Sequence, residues 1–134
     1  MPARILVVDD NAAARSAIRS LLHLNSFQVC GEAGDGEEAI AKVGELKPDI
    51  VLLDINLPGM NGVRAASRIR KVHRTKIVFL TVHKIPGTVQ NAQGWSDAFV
   101  SKSNAATELI PTLIRVAETI DGFTRRARSR RRES

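Results

Sequence analysis

The chain of 134 residues alternates aliphatic strand patterns with amphipathic helix patterns five times. The strand patterns occupy residues 4–9, 27–33, 50–54, 76–81 and 98–102. The central pattern, IVLLD at 50–54, has four consecutive aliphatic residues, which is typical of a parallel strand covered by helices on both faces. Alternating units of this kind with short connections predict a parallel sheet with right-handed crossovers.

Four helices are predicted between and after these strands. The first follows the capping residue Asn11 and runs to about residue 24, and the second opens at the Gly-Asp-Gly of 34–36 and ends before Pro48. Val63, Ala66 and Ile69 mark the third. The last runs from about 105 to 120, with apolar residues at helical spacing. A further helix, fourth in chain order, is expected within 83–97, but proline and glycines there predict a short or irregular one.

Composition excludes several classes of protein. The single cysteine, Cys30, leaves no partner for an internal disulfide and no multi-cysteine metal site. No apolar run approaches the roughly 20 residues of a membrane span, and acidic residues arrive at positions 9 and 10, before a signal-peptide core could form. We therefore expect a cytoplasmic protein.

Positive charge is concentrated at the carboxyl terminus. Residues 125–134 hold six arginines and one glutamate, a net charge of +5, whereas residues 1–124 carry only +1. We predict one globular domain over 1–122 and a basic, arginine-rich tail over 123–134. Such a run is most often a solvated end or the start of a linker. The alternative is contact with a polyanion, either an acidic partner protein or nucleic acid bound without sequence preference.

Polar side chains stand where the strand patterns end. Asp9 and Asp10 end the first, Asp54 the third, Thr81 the fourth and Lys102 the fifth. In an open parallel sheet the carboxyl ends of neighbouring strands border the crevice in which ligands bind. We therefore expect these five side chains to lie close together, although any one of them alone has a simpler structural explanation.

This set of residues suits phosphoryl transfer. Three carboxylates held together repel each other unless a cation is present, and Mg²⁺ prefers a few carboxylates together with water and phosphate oxygens. The Lys102 ammonium and the Thr81 hydroxyl are groups that bind phosphoryl oxygens. The sequence thus predicts transfer of a phosphoryl group to Asp54, which acts as the nucleophile.

Four motifs at this spacing carry a family resemblance: RILVVDDN, IVLLDINLPGMNG, VFLT and AFVSK. Together they resemble the receiver domain of bacterial two-component response regulators, over about residues 3–121. The resemblance implies a flavodoxin-like, doubly wound five-stranded parallel sheet of order 2-1-3-4-5 with five helices. It also implies a phosphorylation-dependent signalling switch that requires Mg²⁺ and acts on no substrate but itself.

The resemblance assigns a role to each matching residue. Asp54 is similar to the phosphoacceptor, Asp10 to the direct metal ligand and Asp9 to the ligand that acts largely through water. Asn56 would lend its backbone carbonyl to the metal. Two further positions belong to the switch: Thr81, which with Lys102 contacts the phosphoryl group, and Phe99, the aromatic that turns inward on activation.

Partners follow from the same resemblance. A sensor histidine kinase or a phosphotransfer protein would supply the phosphoryl group from a phosphohistidine. A downstream protein would bind the face formed by the fourth helix, the fifth strand and the final helix, and phosphorylation could also drive homodimerisation. One departure from the family pattern is Ser103, which stands where proline commonly follows the lysine.

Three alternatives compete with this prediction. A small aspartate-nucleophile phosphohydrolase would also need Asp, Lys and Mg²⁺, but such enzymes usually carry a second acid two residues after the nucleophile, where this chain has Asn56. A pseudo-receiver scaffold would not need the complete acidic set. A receiver cut from a longer DNA-binding transcriptional regulator would have the same sequence features over 1–122.

Overall fold

The computed structural model describes residues 3–81 and 96–120. They form one five-stranded parallel sheet in the order β2-β1-β3-β4-β5. The strands are β1 (Arg4–Val8), β2 (Gln28–Ala33), β3 (Ile50–Asp54), β4 (Lys76–Thr81) and β5 (Ala98–Ser101). The predicted flavodoxin-like order is confirmed, and each strand ends within one residue of its predicted end.

Helices cover both faces of the sheet. They are α1 (Ala12–Leu24), α2 (Gly36–Leu46), α3 (Gly62–Val72) and α4 (Ala105–Ala117), and a short 3-10 turn (Lys102–Asn104) leads into α4. Buried residues of α2 and α3 share one apolar core with one face of the sheet, whereas α1 and α4 share a second core with the other face. Strand β3 contributes to both cores and is buried throughout, as its uninterrupted aliphatic pattern predicts.

Three helices begin at side chains that cap them. Asn11, Asp35 and Asn61 stand at the N-caps of α1, α2 and α3, and each side-chain oxygen accepts a hydrogen bond from the backbone N–H three residues on, at 2.8–2.9 Å. These bonds satisfy backbone donors that a helix leaves unpaired in its first turn. The first helix begins and ends where the sequence predicts.

Two sequence predictions fall on parts of the chain that the structure does not describe. The short fourth helix within 83–97 lies outside the described residues except for Ser96 and Asp97, and the basic tail lies outside them entirely. No helix among the described residues is both long and apolar enough to span a membrane.

Gly62, the first residue of α3, packs directly against the chain that follows β3. Its N–H donates to the Ile55 carbonyl at 2.8 Å, and a Cβ atom at this position would lie 2.6 Å from the Ile55 Cα and 2.8 Å from the Asp54 carbonyl oxygen. These neighbours are backbone atoms, which cannot rotate away. The glycine therefore sets how closely α3 approaches the end of β3.

We expect Gly62→Ala to lower the free energy of unfolding by about 1–3 kcal/mol, because the added methyl group overpacks a backbone contact. The matched control is Gly44→Ala in the last turn of α2, where the nearest atom to a new Cβ is the exposed Val72 side chain at 3.3 Å. Higher helix propensity should raise stability there by up to about 1 kcal/mol. Chemical denaturation of both variants measures the difference, and equal effects would contradict the close approach at Gly62.

Candidate functional site

The carboxyl edge of the sheet brings acidic side chains together at its centre. Asp54 is the last residue of β3, and Asp9 directly follows Val8, which pairs with Leu53 in the adjacent strand. Both carboxylates are buried, with 0% of Asp9 and 3% of Asp54 exposed. Two acids in this position need compensating partners, because an isolated buried charge is costly.

Lys102 supplies the compensating charge. Its Nζ lies 2.6 Å from Asp9 Oδ2 and 3.0 Å from Asp54 Oδ2, so one ammonium bridges two carboxylates that are 93 and 48 residues distant in sequence. Burial alone would lower the pKa of Lys102, but the hydrogen bonds to Asp9 and Asp54 outweigh it and raise the pKa above its ordinary value. The ammonium therefore stays charged at neutral pH.

Backbone N–H groups hold the remaining carboxylate oxygens. The Asn56 N–H donates to Asp54 Oδ1 and the Asn11 N–H donates to Asp9 Oδ1, each at 2.9 Å. Burial raises the pKa of Asp54, while the Asn56 N–H and Lys102 oppose this shift and the nearby Asp9 adds to it. A carboxylate with a raised pKa is more basic, and hence a better nucleophile, than an exposed one.

Asp10 completes an acidic cluster with Asp9 and Asp54, and we call this cluster together with Lys102 the acidic pocket. Ligand oxygens of Asp9, Asp10 and Asp54 all lie within 4.8 Å of one another, and Asp10 is exposed at the mouth of the pocket while the other two are buried. Three carboxylates and one ammonium carry a net charge of −2. Hard oxygen donors with this charge fit a divalent cation such as Mg²⁺ that retains some of its water.

Thr81 and Phe99 belong to β4 and β5, the two strands that follow β3 across the sheet. Thr81 ends β4, is 5% exposed, and makes no hydrogen bond to the acidic cluster within the described part of the chain. The half-buried Phe99 ring in β5 stacks on Phe79, with ring centroids 5.6 Å apart and planes inclined by 26°. Thr81 and Phe99 both line a cavity of about 640 Å³ that β5 shares with α4.

The chain turns away sharply after Asp54. Gly59 has a φ of +75°, a conformation that strongly favours glycine, and the Asn61 cap then starts α3. Pro58 and Gly59 in this loop are exposed. After β5, where the family commonly has proline, Ser103 bonds to Ser101 through their hydroxyl oxygens at 2.8 Å within the 3-10 turn that starts at Lys102.

Sequence reasoning missed one residue of the site, Arg15. Its Nη1 donates to the Asp9 carbonyl oxygen at 2.5 Å, and its Nε donates to Glu32 Oε1 at 3.1 Å. Together with the bond from the Asp9 N–H to the Ala33 carbonyl, this holds both backbone polar groups of Asp9. The only available signals were an arginine in the second turn of α1 and an acid near the end of β2, and neither indicates a contact without the fold.

Comparison with known sequences supports the resemblance to response regulators. The family model of the response regulator receiver domain matches residues 5–114. The response regulator GacA of Pseudomonas viridiflava is 34% identical over 113 residues, which are 82% of this chain and 53% of that protein. The transcriptional regulatory protein PdtaR of Mycobacterium tuberculosis is 32% identical over 114 residues, 84% of this chain and 56% of that protein.

Comparison with solved structures also matches response regulator domains. The response regulator domain of Thermotoga maritima CheB superposes with a TM-score of 0.79 at 30% identity, covering 90% of this chain and 99% of that one. The chain belongs to the family of response regulator receiver domains, the signalling domains of two-component systems. It spans about half the length of the two sequence relatives above.

Replacing Lys102 tests the ion pairs of the pocket. We expect Lys102→Met to lower the free energy of unfolding by about 3 kcal/mol at neutral pH, because two buried carboxylates lose their counter-charge. The loss should shrink as the pH falls and Asp54, whose pKa is raised, becomes protonated, since a neutral acid needs no cation. Chemical denaturation at several pH values measures both effects.

The matched control is Lys76→Met. Lys76 lies 3.8 Å from Asp97, which also accepts hydrogen bonds from Arg70 and from the Ile77 N–H. Its loss should cost less than about 1 kcal/mol, because Asp97 keeps two other donors. If the two lysine variants were equally stable, Lys102 would not be the counter-charge of the pocket.

Proposed function

We propose that Asp54 is the phosphoacceptor of this receiver domain and takes its phosphoryl group from the phosphohistidine of a sensor histidine kinase or a phosphotransfer protein. The observation that carries the proposal is the Asp54 carboxylate itself. It ends the buried central strand, has a raised pKa, lies 3.0 Å from an ammonium group, and is followed by a loop with exposed residues. Family membership supports the same chemistry.

The protein contributes to this reaction mainly by positioning the Asp54 carboxylate and the phosphoryl group. A carboxylate oxygen of Asp54 attacks phosphorus, a P–O bond forms, and the P–N bond breaks as its electron pair returns to the ring nitrogen of the donor. The Asn56 N–H holds Asp54 Oδ1 at 2.9 Å and so fixes the orientation of the nucleophile. Lys102, which contacts the other oxygen, is in position to bind an oxygen of the incoming phosphoryl group.

A divalent cation, which we propose to be Mg²⁺, would be held by Asp9, Asp10, Asp54 and the backbone carbonyl of Asn56. Bound there, it supplies neutralisation of negative charge on the phosphoryl oxygens. The cluster of three carboxylates within 4.8 Å and its net charge of −2 support this assignment. Arg15 contributes indirectly by holding the Asp9 backbone.

Switching would follow from the new charge. A phosphoryl group on Asp54 offers acceptor oxygens near the Thr81 hydroxyl, one strand away, and Thr81 shares its cavity with Phe99. Movement of Thr81 toward the phosphoryl group would open room for the Phe99 ring to turn inward. A downstream protein or a second copy of the chain would then bind at the face of β5 and α4 together with the segment 83–97, most of which lies outside the described residues.

The central prediction concerns modification of Asp54. Incubation with acetyl phosphate and Mg²⁺ should add one labile phosphoryl group to the wild-type chain, and Asp54→Asn should abolish the addition, since an amide is not nucleophilic. Intact mass spectrometry reads the result. Asp35→Asn is the matched control, because asparagine caps α2 as well as aspartate does.

A parallel incubation with a phosphomonoester, again read by intact mass together with phosphate release, distinguishes the phosphohydrolase alternative. Continuous release of phosphate from phosphomonoesters with no lasting modification of the chain would favour a hydrolase acting on an external substrate. A labile addition that persisted in Asp54→Asn would show that another side chain is the acceptor.

Asp10 provides a separate test of the metal site. Because Asp10 is exposed, makes no ion pair among the described residues and adds negative charge beside Asp9 and Asp54, Asp10→Asn should leave the metal-free protein at least as stable as wild type. It should weaken Mg²⁺ binding by on the order of tenfold to a hundredfold, at least as much as the loss of an outer-shell partner. Titration of thermal stability with Mg²⁺ measures this. Unchanged affinity would remove Asp10 from the ligand set.

A further inference from the structure

Positive charge among the described residues is concentrated on α3 and the residues that follow it. Residues 62–76 contain no Asp or Glu and hold six of the thirteen Lys and Arg residues in the described ranges. We call this set the basic face, and its members are Arg64, Arg68, Arg70, Lys71, Arg74 and Lys76. It is independent of the acidic pocket and has no part in the chemistry of Asp54.

Ion pairs show which of these cations are available. Arg68 bonds to Glu37 at 2.6 Å, and Arg70 bonds to Asp97 at 2.5 Å. Lys76 also lies 3.8 Å from Asp97. The remaining three, Arg64, Lys71 and Arg74, are exposed and pair with no carboxylate within residues 3–81 and 96–120. Three uncompensated cations on one helix and the two residues that follow it favour a polyanionic ligand.

The available cations line two cavities on either side of the carboxyl half of α3. Arg64 and Lys71, two helical turns apart, border a cavity of about 540 Å³ next to α2. Arg74 borders a cavity of about 440 Å³ that also contacts Asp49 and Thr75, the residues just before β3 and β4. This second cavity is therefore at the amino edge of the sheet, opposite the acidic pocket.

We propose that the basic face binds the phosphate backbone of a double-stranded nucleic acid. Four of its six cations are arginines, whose planar guanidinium group matches phosphate oxygens in a bidentate geometry. The only large apolar side chain exposed on α3 is Val72, and the described part of the face has no aromatic residue. A protein partner would normally be anchored by aromatic residues, and single-stranded nucleic acid would normally be bound by base stacking, so both are less suited to this face.

The sequence that follows the last described residues adds further positive charge. Thr119 and Ile120, the last described residues, line the same cavity as Arg74. Six further arginines follow in the sequence between 125 and 134. These arginines add to the positive charge that the full chain offers to a phosphate polymer.

The test compares two charge-matched triple variants of the full chain. One carries Arg64→Gln, Lys71→Gln and Arg74→Gln; the other carries Arg19→Gln, Lys47→Gln and Arg115→Gln, which are exposed residues outside the basic face. Fluorescence anisotropy with a labelled duplex of about 20 base pairs is measured between about 50 and 200 mM salt. The basic-face variant should show a log-log salt slope less steep by about 2.7 and weaker binding, whereas the control should keep nearly the wild-type slope.

A further variant and a further ligand distinguish the basic face from the tail and a nucleic acid from an acidic protein partner. A third variant replaces the six tail arginines with glutamine, and we expect its loss of affinity to add to that of the basic-face variant. The proposal is overturned if wild type does not bind the duplex at low salt, if the two triple variants lose binding equally, or if only the tail variant loses it. Preference for poly-glutamate over the duplex, lost in the basic-face variant, would also overturn it and indicate an acidic protein partner.

Discussion

The bridge from Lys102 to Asp9 and Asp54 is the interaction on which the rest of the site depends. It joins the ends of β1, β3 and β5, which are far apart in sequence and meet only in the strand order of this sheet. Two buried carboxylates without that ammonium would either become protonated or destabilise the fold. With it, the pocket keeps charged oxygens out of bulk water and carries the net negative charge that suits a divalent cation.

Local signals in the sequence were sufficient to predict most of the fold. The uninterrupted aliphatic run of β3 indicated a central strand, and Asn11 marked the start of α1 because a side-chain cap is a local interaction. Because parallel strands end at one edge of the sheet, the sequence also predicted that Asp9, Asp10, Asp54 and Lys102 would lie together there. The bridging contact of Lys102 and the hold of Arg15 on Asp9 could not be predicted from the residues alone, since each depends on side-chain reach across strands that are distant in sequence.

Helix α3 connects two regions of opposite charge. Its amino end packs against the chain after Asp54 through Gly62, and its carboxyl half presents cations at the other edge of the sheet. Exposed charges separated by more than about 8 Å are largely screened at physiological ionic strength. The acidic pocket and the cations beside Arg74, which lie at opposite edges of the sheet, therefore interact only weakly through space.

The identity of the acceptor residue tests the central claim most directly. Borohydride reduces an aspartyl phosphate to homoserine, and peptide mass spectrometry locates the converted position. After treatment with acetyl phosphate and Mg²⁺, we expect homoserine at position 54 and at no other aspartate. Conversion at Asp9 or Asp10, or no conversion in protein that has gained the mass of a phosphoryl group, would contradict the assignment of Asp54 as the phosphoacceptor.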